Sequence, residues 1–186
     1  MNKHLELNFF RIEGHYGVYQ GWMKRPAYFI RRSCGLAALL NILIYEKILQ
    51  VHSIAEAGFY LDQLARPYLP RPWGIVRFSS LLAILNRLSP KKYQLVAFKK
   101  PLQLDFVVAF IQEALEGGHP LLLLTFNHKS PDFHNHWLTI TGLSWKDGQY
   151  QIICSNWGQR RVYSLNKYLK EPSLYRGLGY FQELSS

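Results

Sequence analysis

The chain has 186 residues, of which 48% are hydrophobic, 15% aromatic and 18% charged, a balance that suits one folded domain, 1–186, with a sizeable core and excludes a disordered chain. Its formal net charge of +10 favours anionic partners, but the basic residues come as scattered pairs rather than a stripe, so nucleic acid is not the expected partner. Two cysteines make no disulfide framework, and the opening "MNKHLELNFFRIEGHYG" lacks the apolar run of a signal peptide.

No stretch approaches the length of a membrane span. The expected address is therefore cytoplasmic, or outside the cell by a route without a classical signal peptide.

Residues 1–30 are aromatic and irregular and yield no period. Ser33 is a good N-cap, and from it Leu36, Leu39, Leu40, Leu43 and Ile44 recur at helical spacing. Ala37, Ala38 and Ile42 fill the other sides, which predicts a helix buried all round. A second helix is expected from near Ser53 to Ala65, broken by "RPYLPRPWG", and a third from about Ser79 to Leu88, stopped by Ser89-Pro90. "YQLVAF" (93–98) reads as a short strand, and a fourth helix spans about Leu104 to Leu115, ending at Gly117-Gly118. The second half changes character. Strands are expected at 119–126, 136–143 and 149–158, with a hairpin at Asp147-Gly148, then in "RRVYSL" and at 177–184. Helices first and an antiparallel sheet after them make the class α+β.

Cys34 opens the first of these helices. The bland reading is a small buried hydrophobe. Against it, a thiol in a first helical turn meets unpaired N–H groups and the positive end of the helix dipole, which favour a thiolate and can hold an oxyanion. Gly35 either leaves space beside the thiol or permits close packing. His136 starts an apolar strand, where it can serve as the base that a thiol nucleophile needs. The following strand ends in "SNWG", which offers Asn156 to fix the imidazole.

"SCGLAALLNIL", "HWLTITGL" and "SNWG", in this order, resemble the papain-like cysteine peptidases, and the proportions are closest to the compact bacterial branch that includes the double-glycine bacteriocin-leader peptidases. In that branch a Cys-Gly opens the central helix, a His with an apolar strand follows about a hundred residues later, and an Asn or Asp stands on the neighbouring strand. The resemblance implies a central Cys-bearing helix packed on a C-terminal antiparallel sheet. It implies Cys34 as nucleophile, His136 as general base and acid, Asn156 as the group that orients the ring, and Trp157 as its shield from water. It also implies a peptide or protein substrate, which the charge balance would make acidic, and no cofactor.

The family pattern is broken in two places. A Gln six residues before the Cys is usual as a second oxyanion donor; here that position is Tyr28, and Gln20 in "VYQGW" lies 14 residues ahead of Cys34. Family members read "NSWG", so aligning Trp-Gly puts Ser155 on the family Asn. Strand alternation offers a test. A two-residue Asp147-Gly148 turn puts Ser155 and Trp157 on the face of His136. A three-residue loop with a bulge at Gly148 puts Asn156 there. Asn156 is the choice on chemistry, with Ser155 as fallback and Cys154 as a buried spectator. Trp73 and Gly74 are candidates for the cleft border.

The rival is a metal-dependent hydrolase or nuclease that uses the loop "NHKSPDFHNHW", with His134 and His136 two apart and Asp132 or His128 as a third ligand. A non-catalytic binding module on the same scaffold is a third reading. Acyl transfer and deamidation are open to the same thioester chemistry. The oligomeric state is not legible.

Overall fold

Leu121, Leu122, Leu123 and Leu124 are consecutive and all buried, because strand β5 (Leu121–Phe126) is covered on both faces. In the computed structural model, which describes residues 4–69 and 73–184, Leu122 and Leu124 pack into one hydrophobic core and Leu121 and Leu123 into another. A strand buried on both faces has no need of alternation, hence the unbroken apolar run.

The architecture is α+β. A mixed-length antiparallel sheet has the order β4 (Tyr93–Ala97), β9 (Tyr175–Glu183), β5, β6 (His136–Lys146), β7 (Gln149–Asn156), β8 (Gln159–Ser164). Strand β1 (His4–Glu6) pairs with the far half of β6. On one face lie α2 (Cys34–Tyr45), α3 (Ile54–Tyr68) and α4 (Phe78–Leu88), packed on Leu122, Leu124, Trp137 and Phe181. The other face carries α5 (Leu104–Glu116) and α6 (Leu165–Lys170), packed on Leu123, Leu138, Ile140 and Ile152.

The expected helices and strands are present with shifted ends. Helix α3 continues through Pro67 to Tyr68, giving up the bond that an N–H at 67 would make to the Gln63 carbonyl, and the Leu69 N–H closes the last turn on the Ala65 carbonyl; residues 70–72 of the expected break lie outside the described residues. Its start is a variant of the capping box: the Ser53 hydroxyl accepts from the Glu56 N–H, and the Glu56 carboxylate accepts from the N–H of His52, one residue before the N-cap. Strand β7 stops at Asn156, since Trp157 and Gly158 both have positive φ (50° and 70°) and form the turn into β8. The irregular first 30 residues supply β1, a small hairpin of β2 (Arg11–Ile12) and β3 (His15–Tyr16), a 3₁₀ turn at Gln20–Trp22 and α1 (Ala27–Ile30). Helix α6 went unread inside a segment that looks like a strand followed by a loop.

Candidate active site

Helix α2 begins at Cys34 with no side-chain cap. Ser33 is the N-cap residue, but its hydroxyl donates back to the Ile30 carbonyl (2.8 Å) instead of accepting from the helix. The first N–H groups of α2 are thereby left for the site. Burial pushes the Cys34 thiol up from its ordinary range, and the backbone N–H groups of Trp137, Gly35 and Cys34 pull it back down. Sequence reasoning anticipated the downward pull; packing around the sulfur outweighs it. Of the two readings of Gly35, close packing is the one observed: a Cβ there would meet the Trp137 indole at 3.2 Å and Ile75 at 3.4 Å. Trp137 is itself pinned, its indole N–H donating to the Ile75 carbonyl (2.6 Å).

His136 and Asn156 meet: the imidazole Nε2 and the amide Oδ1 lie 2.8 Å apart. The Asn156 amide nitrogen donates to the Tyr163 hydroxyl (2.9 Å), which fixes the oxygen toward the ring. An oxygen there selects the Nε2–H tautomer and leaves Nδ1 as the basic nitrogen. Burial lowers the His136 pKa, opposed by the Asn156 hydrogen bond and the Asp132 charge. The Trp157 ring lies 5.1 Å from the imidazole.

Neither register considered from sequence is the one observed. The turn is two-residue, Lys146 pairing with Gln149, with Asp147 and Gly148 both at positive φ. That register would present Ser155. A bulge at Thr141, where pairing steps from Gly142↔Ile153 to Ile140↔Cys154, shifts β6 by one residue and turns Asn156 toward His136.

Ser155 is committed elsewhere. Its hydroxyl donates to the Tyr16 carbonyl (2.8 Å). The Asn41 amide nitrogen donates to Thr139 Oγ1 (3.1 Å) and reaches Ser155 Oγ (3.4 Å), and the Asn41 oxygen accepts from the Val18 N–H (2.8 Å). Asn41 is 3% exposed, two turns below Cys34 on the same side of α2. This network straps residues 16–18 onto the helix and the sheet. Sequence reasoning missed Asn41; the signal was one amide in an otherwise apolar helix.

The strap delivers Gln20. Gln20, Cys34, His136 and Asn156 line one small cavity, and the Gln20 amide donates to the Ile30 carbonyl (3.0 Å). Tyr28 is not brought there. It is 41% exposed on α1, with the Arg32 guanidinium 3.7 Å above its ring. On the other side of Cys34 is a cleft of about 240 Å³, bordered by Trp73 as expected and floored by Trp137, Leu124 and Phe126. Gly74 packs on the Arg32 carbonyl.

The histidine loop does not converge. His128 is buried, accepting from the Ser130 N–H at Nδ1 (3.0 Å) and stacking on Tyr168. His134 turns its Nδ1 to the His128 carbonyl (3.0 Å). Among the described residues no three His, Cys, Asp or Glu side chains are grouped as a metal site. Cys154 is fully buried, its thiol pushed up by desolvation.

No protein-family model matches the sequence, and comparison with curated proteins gives no significant match. Among solved structures the chain is similar to the crystal structure of UfSP from C. elegans, at 11% identity and a TM-score of 0.49, covering 99% of this chain and 35% of that one. The chain thus spans about a third of that structure's length, and a likeness at this level carries no argument about chemistry.

Proposed function

We propose that the protein is a thiol hydrolase of papain-like type, cleaving a peptide or protein amide through a thioester on Cys34. The observation that carries this is the 2.8 Å His136–Asn156 hydrogen bond beside a Cys at an uncapped helix start. The Cys34 proton passes to His136 Nδ1 as the sulfur attacks the carbonyl carbon. The resulting oxyanion is held by the Cys34 N–H and the second amide hydrogen of Gln20. The imidazolium then protonates the leaving nitrogen, the C–N bond breaks, and a thioester remains. Water attacks it with His136 as base, and the thiol leaves as the acid is released. Asn156 holds the tautomer and Trp157 covers the hydrogen bond. An amine in place of water would give acyl transfer by the same steps.

The test is intact-mass detection of a Cys34 adduct with a peptidyl acyloxymethyl ketone, in Cys154→Ala protein. The adduct is expected at neutral pH and is expected to fall at least about tenfold in rate in His136→Ala. Equal labelling in both proteins would mean that Cys34 is only a structural thiol.

A further inference from the structure

The cleft beside Cys34 has a charge that the chemistry at sulfur does not need. Arg31 and Arg32 stand on its wall, and among the described residues no Asp or Glu lines it; beside the Cys34 thiol the other polar side chain of the described lining is Asn135. The two arginines are not equivalent. Arg32 is engaged, with its guanidinium over the Tyr28 ring and donating to the Tyr28 carbonyl (3.1 Å). Arg31 is exposed, and among the described residues its guanidinium has no hydrogen-bond or ion-pair partner.

The rest of the wall is apolar. Leu124, Phe126, Trp137 and Ile75 form the floor, and Trp73, 80% exposed, stands at the edge. The apolar surface continues past Phe126, whose carbonyl accepts from the Leu174 N–H (3.0 Å) and whose ring lies 6.2 Å from Tyr175. Leu174 is 82% exposed and Tyr175 49%. A guanidinium over a low-dielectric floor, at the positive end of helix α2, concentrates positive potential where the substrate must lie. Its planar fork matches a carboxylate in two parallel hydrogen bonds.

We infer that this cleft selects a peptide or protein segment in which an acidic side chain, bound by Arg31, stands close to the scissile amide beside a bulky apolar residue seated on the Trp73–Phe126 floor. The inference rests on the thiol-hydrolase reading and adds its substrate class. Arg31 is the specificity-determining residue; Arg32 holds the wall through Tyr28 and adds to the field.

The experiment uses double-headed epoxysuccinyl peptides, which carry residues on both sides of the reactive carbon, with one Glu walked through each position and a Gln twin for each. The rate of Cys34 labelling is read by intact mass in Cys154→Ala protein. At one position or more the Glu probe is expected to react about tenfold faster than its Gln twin, the scale of a charge-assisted hydrogen bond. That ratio is expected to shrink with added salt, to fall close to one in Arg31→Ala, to survive in part in Arg31→Lys, and to reverse in favour of Lys probes in Arg31→Glu. Labelling without any Glu–Gln contrast in wild type, or a contrast that persists in Arg31→Ala, overturns the inference and leaves the hydrolase reading standing. Absence of labelling by every probe overturns both.

Discussion

Cys34 and His136 are displaced in opposite senses from what a resting ion pair needs: burial raises the thiol and lowers the imidazole. Both directions favour thiol and neutral imidazole as the resting forms at neutral pH, so that in the proposed reaction the proton moves during attack. Cys34 labelling should therefore rise in two steps with pH. The first lies below the ordinary imidazole value of about 6.5, as His136 loses its proton, and the second lies above the ordinary thiol value of about 8.5. A pH series of labelling rates checks this, with the lower step absent in His136→Ala and the upper one retained. Asn41 carries a second expectation. Asn41→Ala removes the partner of the Val18 N–H and of Thr139 Oγ1 and leaves Ser155 only its bond to the Tyr16 carbonyl, at a cost of about 2–3 kcal/mol in urea unfolding. It also loosens Gln20, so that labelling slows more than in a surface variant of equal stability. The meeting of His136 with Asn156 on the cavity that Cys34 lines was legible because the roles proposed for them each demand one residue type at an element end. Asn41 and Trp137 were not, because what they do is set by partners distant in the chain.

At the scale of elements, the long helices and the central strands were legible from their periods. The pieces between residues 4 and 30 were not. They are two- and three-residue strands and single turns, held by pairing to β6 and by the strap on α2, and no local pattern encodes a distant partner. The strap meets its tightest constraint at Gly17, φ 78°, where a Cβ would collide with Ser155 Oγ and Asn41 Oδ1. Gly148 shares the left-handed backbone, φ 75°, but has open space around it. Gly148→Ala should cost only the backbone term, about 1–2 kcal/mol. Gly17→Ala should cost more and should also slow Cys34 labelling; urea unfolding of the two variants separates strain from collision.

Over the whole molecule, charge groups define a stability window. Arg160 holds the Glu6 carboxylate below its usual range through two 2.7 Å hydrogen bonds that join chain positions 154 apart. A lowered carboxylate stabilises the fold above its ordinary pKa, and that contribution is lost as pH falls through the folded value. His136, lowered by burial, adds to the acid loss, since the unfolded chain takes up its proton first, from about pH 6.5 downward. On the alkaline side Tyr16 and Tyr163 are pushed up to about 12 and the Cys154 thiol is raised, so stability declines as pH climbs past their unfolded values. Thermal unfolding from pH 4 to 11 should give a maximum near neutrality, and Glu6→Gln should flatten the acid limb. The bulge at Thr141 reaches furthest of all. It acts as a frameshift written into the pleat rather than the gene: one extra residue in β6 transposes the meaning of two letters in β7. The order Ser-Asn before Trp-Gly, which looks like a scrambled motif, is the spelling that keeps an amide against the imidazole once the strand has slipped by one.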